Sequence, residues 1–499
     1  MNEKCLIAVD MGASSGRVVA GHFDGQRLRL QEVHRFENGP VEVVGTLHWD
    51  LLAQWTRITD GLRTARGQFG DRIVSVGVDT WGVDFALLGR DDTLLGNPVH
   101  YRDSRTDGIL EYAFETVSRA DIFAATGLQF LPFNTLFQLV AMRRGGSPLL
   151  DVAQSMLMMP DAFHWLLSGE KSNEYTNATT TQFFDPSTRS WATGLLERFD
   201  LPTEICGSLV EPGTSLGPLR AAVAELTGLR DVGVVAPGSH DTASAVLAAP
   251  ADTCGSGRGD WCYISSGTWS LLGAEVGKPV ISDRCRELNF TNEGGVAGTV
   301  RLLKNIGGLW LLQECRRRWA DEGRDYDWDD MLRLAASAPR LASLADPDNP
   351  AFLSPGNMPA AIRAYCSRTG QPVPESDGAV VRAALEGLAL KYRLVLGWLE
   401  ELTGAPVRTI HIVGGGAHNG PLCQATADAC GRRVLAGPAE ATAIGNIMAQ
   451  AMAHGDVADV PQAREVVRRS FLPVEYLPGD TSGWDDAFAR FSELCQAGG

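Results

Sequence analysis

The sequence predicts an α/β protein with a duplicated core, and three observations carry that prediction. A buried apolar strand, a small-residue turn and a returning strand open each half. In the first half these are 5–9, Met11-Gly12-Ala13-Ser14-Ser15-Gly16 and 17–23. In the second they are 261–264, Ser265-Ser266-Gly267-Thr268 and 269–272. Helical stretches separate the further strands. The chain has 499 residues, 44% hydrophobic and 21% charged, enough for two or three domains that each bury a core.

Taken in order, 5–9 is an uninterrupted apolar run, as a central strand covered on both faces should be. Asp24-Gly25 is a hairpin signal, and 27–35 alternates polar and apolar as a third strand. A helix is expected from Asp50, with Leu51, Leu52, Trp55, Ile58 and Leu62 on one face. Residues 73–78 form another buried strand and end at Asp79-Thr80-Trp81-Gly82. Helices are expected near 107–118, 134–143, 160–168 and 216–226. The strand 232–236 opens into Pro237-Gly238-Ser239-His240-Asp241-Thr242, and 243–249 reads as a tightly packed helix. The Pro-, Gly-, Ser- and Asp-rich stretch 250–260 is the best domain boundary, dividing 1–249 from 250–499. A long helix over 376–403 leads to a strand at 409–413 and then Gly414-Gly415-Gly416. The Ala-rich stretch 439–453 has Glu440 near its start, where the helix dipole favours a carboxylate.

Composition excludes several functions. Lys and Arg number 44 against 60 Asp and Glu, a net charge of −16 that repels phosphate backbones, so no nucleic-acid partner is expected. No apolar run is long enough to span a membrane, and the N-terminal apolar stretch stops at Asp10, too short for a signal-peptide core. The ten cysteines form no CxxC pair and no tight cluster with histidine. They read as reduced thiols of a cytoplasmic protein, not as a zinc site or a secreted disulfide scaffold.

The turns carry the candidate chemistry. Gly-Ala-Ser-Ser-Gly after a strand that ends in Asp10 presents backbone N–H groups and two hydroxyls to phosphate oxygens. Asp10 at the strand mouth can hold a hydrated Mg²⁺. The same residues also suit a plain hairpin with a capping aspartate. The turns at 265–268 and 414–416 repeat the theme, and together the three suggest one bound nucleotide. Standard signatures are absent: Gly273–Lys278 has one residue too few for a Walker A loop, and Gly414–Gly420 misses the GxGxxG spacing. Adjacent residues cannot form a hydrolase triad, so Ser239-His240-Asp241 is not one. Asp241 instead reads either as a general base for a substrate hydroxyl or as the N-cap of a helix over 242–249. Asp79–Phe85 and Tyr101–Arg105 mix acids, hydroxyls and aromatics, as a sugar pocket requires; an aromatic core flanked by solvated charges is the competing reading.

These residues give the chain a clear resemblance to the FGGY carbohydrate kinases of the actin/hexokinase/Hsp70 ATPase superfamily. It rests on VDMGASSGRV from Val9, GVDTWGVDF from Gly77, YRDSRT from Tyr101, GLQFLPFNTLFQL from Gly127, EYTNATTTQ from Glu174, SHDTASAV from Ser239, YISSGTWSLLG from Tyr263, TNEGG from Thr291, LLKNIGGLWLLQ from Leu302 and HIVGGGAHN from His411. DTWGVDF, QFLPFNT and EYTNATTTQ belong to the branch that acts on L-rhamnulose. The resemblance implies two RNase H-like (actin-like ATPase) domains, each a mixed five-stranded sheet flanked by helices, with a cleft between. It implies that ATP contacts Ala13, Ser14, Ser15, Gly16, Arg17, Thr268, Gln313 and Gly415. The sugar is expected at Gly82, His240, Asp241, Thr242 and Asn305, with Asp241 the catalytic base and Asp10 tied to Mg²⁺, directly or through water. The implied reaction moves the γ-phosphoryl group of ATP to the 1-hydroxyl of L-rhamnulose, in a monomer or small homo-oligomer. Trp81, Phe85, Phe130 and Phe133 are expected to wall the pocket. An FGGY kinase for another ketose or polyol, such as L-fuculose, and a non-catalytic actin-like ATP-binding protein are the alternatives. No disulfide carries over, because Cys366 and Cys430 lack the companions the family pattern would need, and nothing in 320–374 is assigned.

Overall fold

The computed structural model describes residues 3–251, 260–353 and 355–497. The chain forms two units. The first takes the described residues of Met1–Gly257 with Glu275–Leu302 and Ala441–Phe471. The second takes those of Arg258–Ala274, Leu303–Glu440 and Leu472–Gly499. Most of the boundary stretch read from the sequence, 252–259, lies outside the described residues, as does Cys254.

In the first unit the strands run in the order Thr214–Pro218, Gly233–Ala236, Ile73–Thr80, Lys4–Met11, Ser15–Phe23 and Leu28–Glu37. Lys4–Met11, Ile73–Thr80 and Gly233–Ala236 are parallel, while Ser15–Phe23 returns antiparallel beside Lys4–Met11. The apolar run at 5–9 thus becomes a buried strand with neighbours on both sides. Alternation along a strand sorts its two faces. Cys5, Ile7, Val9 and Met11 share a core with Ile58, Leu62 and Ala65 of the helix Leu51–Phe69. Asp50 caps that helix by accepting from Ala53 N at 3.1 Å, which fixes its start where the sequence put it.

The opposite face, with Ser75, Gly77 and Asp79, meets the helix Ala441–Ala453. Two amides one turn apart on that helix stitch the strands together. Gln450 donates to Ile7 O at 2.9 Å and accepts from Ser75 Oγ at 2.7 Å. Asn446 donates to Gly77 O at 3.1 Å and to Asp79 Oδ2 at 2.6 Å. Position 77 has to be glycine, because a Cβ there would sit 2.6 Å from Asn446 Oδ1.

The second unit's sheet contains, in order, Val300–Gly307, Trp269–Val276, Trp261–Ser266, Thr409–Val413, Arg433–Ala436 and Val474–Tyr476. Trp261–Ser266 is antiparallel to Trp269–Val276 and parallel to Thr409–Val413, which is parallel to Arg433–Ala436. Numbered along the chain, both units therefore share one five-strand order, 3-2-1-4-5. Each adds an antiparallel edge strand, Thr214–Pro218 in the first and Val474–Tyr476 in the second. The duplicated opening seen in the sequence is a duplicated sheet core.

Two sequence expectations need correction. Residues 216–226 are not one helix: Thr214–Pro218 pairs as a strand, and the helix begins only at Ala221. Gly217 at φ +84° and Pro218 interrupt any helical run there. The short helix after Ser239 is Asp241–Leu247, so His240 is its cap and Asp241 its first residue. Asp241 therefore does not cap the helix. Cys366 and Cys430 are free thiols, and no described helix is long and apolar enough to cross a membrane.

Candidate active site

Strand register builds the site. Asp10 pairs with Arg17 on one side and with Asp79 on the other, so the three lie in one row across the first unit's sheet. Arg17 Nη2 donates to Asp10 Oδ2 at 2.5 Å. The next row carries Met11, Thr80 and His240: Thr80 bridges His240, and its N–H donates to Ser239 O at 2.9 Å. Asp241 follows one residue later, at the carboxyl edge of three parallel strands, where open α/β sheets place their ligands.

Asp79 is fully buried. Burial pushes its pKa well above the usual carboxylate value, and the neighbouring Asp10 and Asp241 carboxylates push it further, against the hydrogen bond from Asn446. Asp79 therefore lies near enough to both other carboxylates to feel their charge. Asp79 Oδ1 is buried and has no hydrogen-bond partner among the described residues.

The two oxygens of Asp241 differ. Oδ1 accepts from Thr242 N at 2.5 Å and from Thr242 Oγ1 at 3.0 Å, with His240 Nε2 at 3.4 Å. Oδ2 accepts no hydrogen bond from the described residues, and the side chain is one-third exposed. The first turn is tied down by Asn38, whose N donates to Ser14 O at 3.2 Å and whose Nδ2 donates to Gly12 O at 2.7 Å. Gly16 has no room for a side chain, since a Cβ would meet the Phe36 ring at 2.4 Å. Ser14 is exposed at the tip.

The loop before Asp241 hangs on Glu174. One of its oxygens accepts from Ser239 N at 3.0 Å, Ser239 Oγ at 2.6 Å and Thr176 Oγ1 at 2.5 Å. Burial lifts its pKa to about 7, against those donors. Thr176 Oγ1 in turn accepts from His240 N at 3.1 Å. The neighbouring Asn177 Nδ2 lies 3.2 Å from Trp81 O and 3.5 Å from Ser239 O, which brings Gly82 beside the His240 loop. Asp84 is fully buried and accepts from Trp49 Nε1 at 2.6 Å, Trp81 Nε1 at 3.0 Å, Tyr101 N at 3.2 Å and Gln138 Nε2 at 2.9 Å. Burial raises its pKa to about 6. The acids of the 79–85 motif are thus interior, not solvated flanks. Phe85 and Phe130 belong to the core, Phe130 among Phe114, Phe123 and Phe137. Trp81 is also mostly buried, its ring centroid 4.0 Å from that of Trp49 at a 34° tilt. Phe133 is half-buried beside Tyr101.

The sequence reading missed Glu293 and Arg301. Arg301 Nη2 lies 3.0 Å from His240 Nδ1 and 3.2 Å from Glu293 Oε2, which is itself 3.2 Å from Nδ1. The available signal was an arginine in the apolar strand from Val300, just after the TNEGG motif.

The first unit thus gathers Asp10, Arg17, Gly82, His240, Asp241 and Thr242, with Ala13, Ser14, Ser15 and Gly16 in the adjoining turn. Asn305, Thr268, Gln313 and Gly415 belong to the second unit. There Thr268 O accepts from Trp310 N at 3.1 Å at the start of the helix Trp310–Asp321, which carries Gln313. The glycine turn presses on Ser266 so closely that a Cβ on Gly416 would lie 2.0 Å from its Oγ. Asn305 stands on Val300–Gly307, half-buried.

Known proteins match this arrangement along the whole chain. Residues 5–248 match the N-terminal domain, and residues 262–454 the C-terminal domain, of the FGGY family of carbohydrate kinases. A rhamnulokinase of Bacteroides thetaiotaomicron is 45% identical over 97% of this chain and 98% of its own length. One from Pectobacterium carotovorum is 43% identical over 99% and 97%. Among solved structures, a ligand-bound xylulose kinase from Lactobacillus acidophilus superposes with a TM-score of 0.81 at 16% identity, covering 99% of this chain and 98% of that one. A Plasmodium falciparum glycerol kinase with ADP gives 0.77 at 14%, covering 99% and 98%; both likenesses speak to the fold. Sheet order, strand-end carboxylates and family models agree: the chain belongs to the FGGY family of carbohydrate kinases, in its rhamnulokinase branch.

Proposed function

We propose that the chain transfers the γ-phosphoryl group of ATP to the 1-hydroxyl of L-rhamnulose, with Asp241 as general base. The observation that carries the chemistry is the asymmetry of the Asp241 carboxylate. Oδ1 is occupied by Thr242, while Oδ2 is left to accept the proton of an attacking hydroxyl. The substrate reading is supported by the 45% and 43% identity to rhamnulokinases over nearly full length.

Phosphoryl transfer passes through a loose transition state and needs positioning and charge balance more than covalent help. Gly82, His240, Thr242 and Asn305 are assigned to the sugar. Ala13, Ser14, Ser15, Gly16, Arg17, Thr268, Gln313 and Gly415 are assigned to ATP. Arg17 is a ready counter-charge beside the first turn.

The donor set fits Mg²⁺. Asp10, Asp79 and Asp241 offer hard carboxylate oxygens, and Asp79 Oδ1 is buried without a hydrogen bond from the described residues. Among the described residues no three ligating side chains converge on one point. Mg²⁺ asks for no such cage, since it keeps several waters and binds through one or two carboxylates together with phosphate oxygens. Asp10 is the residue assigned to it. When bound, Mg²⁺ supplies charge neutralisation at the phosphates.

The test is ADP release across L-rhamnulose, L-fuculose and L-xylulose, with Asp241→Asn in parallel. L-rhamnulose should give the highest kcat/KM, and Asp241→Asn should lose transfer while retaining ATP binding. A rival sugar in first place would reject the substrate, and near-normal kcat in the variant would reject the base.

A further inference from the structure

We propose that Arg301, balanced by Glu293, locks His240 as the Nε2–H tautomer and so makes it a donor facing Asp241, a positioning role for all three residues. The inference deepens, and rests on, the reading of Asp241 as the base.

Arg301 is fully buried, and a guanidinium can only donate. Its Nε donates to Gly294 O at 2.7 Å, which fixes the orientation of the fork. Nη2 then lies 3.0 Å from His240 Nδ1. Glu293 Oε2 is also 3.2 Å from Nδ1 but without hydrogen-bond geometry, whereas the Arg301 contact has it; Nδ1 is therefore the acceptor of a permanent donor, and the proton of the neutral ring sits on Nε2. Nε2 is 3.4 Å from Asp241 Oδ1. The other tautomer would turn an Nε2 lone pair toward a carboxylate oxygen and an Nδ1–H toward the Arg301 donor, two repulsive contacts on one ring. Glu293 Oε2, 3.2 Å from Nη2, supplies the counter-charge that lets a buried guanidinium stay there. Burial alone would raise Glu293, yet its pKa lies net below the ordinary value, with the Arg301 guanidinium and a Thr291 hydrogen bond among the causes, so it stays ionised. The His240 backbone is held separately by Thr176, so the ring is the only part left for Arg301 to set.

The consequence falls on the base. Thr242 gives Oδ1 two hydrogen bonds, and the His240 Nε2–H faces the same oxygen from 3.4 Å. The carboxylate is fixed in rotation, and Oδ2 alone remains for the sugar hydroxyl.

The test is a long-range ¹H–¹⁵N correlation spectrum of the full chain at neutral pH, with the His240 signals identified by their loss in His240→Gln. Wild type should show Nε2 protonated and Nδ1 bare. In Arg301→Met the proton should move to Nδ1, toward Glu293. At the same time kcat should fall roughly ten- to a hundredfold, the scale of one hydrogen bond to a charged group, with KM for ATP unchanged. A wild-type ring protonated on Nδ1, alone or with Nε2, overturns the proposal. So does an Arg301→Met chain that keeps either the tautomer or the kcat. If that variant does not fold, the wild-type spectrum decides alone. The tautomer is read without turnover, so the two readings fail separately. An active Asp241→Asn with wild-type Nε2–H rejects the base, whereas an inactive Asp241→Asn with wild-type Nδ1–H rejects only the lock.

Discussion

Replacing Gly445 with alanine should displace the helix that starts with Asp241. Gly445 lies on Ala441–Ala453 where that helix crosses Asp241–Leu247, and a Cβ there would sit 1.8 Å from Ser244 O and 2.4 Å from its carbonyl carbon. Reaching ordinary contact at 3.4 Å takes a retreat of about 1.6 Å, and the obstacle is backbone, not a side chain that can swing away. The two helices are tied on both flanks. Asn446 and Gln450 hold one to the sheet, and Ser244 Oγ bonds Gly238 O at 2.7 Å to hold the other. Overpacking of this kind costs about 1–3 kcal/mol, partly offset by up to about 1 kcal/mol of helix propensity gained over glycine. The larger effect is on rate, because a displacement of about 1 Å at a reacting group can cost roughly a hundredfold. Steady-state ADP release should show kcat down by about that factor, with KM for ATP little changed and the melting temperature lowered. A Gly445→Ala chain with kcat within about twofold of wild type and an unchanged melting temperature would refute the reasoning, since it would mean the Asp241 helix is free to move without consequence.

Gly397 is the matched control. It is exposed in the middle of Asp377–Thr403, and a Cβ added there would meet nothing within 4 Å, so Gly397→Ala should stabilise by about 0.5–1 kcal/mol in urea unfolding and leave kcat alone. Asp84 predicts a pH dependence. Its carboxyl ionises near 3.8 when unfolded and near 6 when buried, so between those values the folded chain binds more protons and stability falls as pH rises. The full loss is about 3 kcal/mol, of which about 2.4 kcal/mol falls between pH 4 and pH 7. Urea midpoints of wild type and Asp84→Asn followed from pH 4 to pH 7 should therefore converge or cross by that amount, and parallel curves would show that Asp84 is not the titrating group.

What the sequence made legible depended on how local the signal was. The strands at 5–9, 73–78 and 409–413 stood out because a strand buried on both faces must be apolar throughout. Asp50 announced its helix because capping is a matter of adjacent residues. Asp241 was legible as a carboxylate at a helix start, but not as the first residue of that helix, because the cap falls to His240 through backbone geometry alone. Glu293 and Arg301 were illegible for a different reason. They reach His240 only after the strand Val300–Gly307 forms, and no periodicity links positions so far apart. Asn446 and Gln450 lie between these cases. Two amides one helical turn apart in an otherwise alanine-rich segment mark a buried polar face, but not which strands it serves.

The three stretches on which the resemblance to this branch rests act mainly on one another. Thr135 Oγ1 donates to Val83 O at 2.7 Å, Gln138 Nε2 to Asp84 Oδ1 at 2.9 Å, and Asn134 Nδ2 to Gln182 Oε1 at 2.6 Å, while Thr180 Oγ1 accepts from Val83 N at 3.0 Å. Each bond joins a residue of one stretch, or of the helix that continues it, to a residue of another, and all of these atoms are buried or nearly so. A buried network of this kind tolerates change poorly, because removing one partner strands the other at a cost of about 1–3 kcal/mol. Its output is the placement of the His240 loop, through Asn177 and through Glu174 with Thr176. The three stretches therefore serve largely as the scaffold that sets where His240 and Asp241 stand. A variant that alters the sugar preference is then as much to be sought in this network as among the residues that touch the sugar.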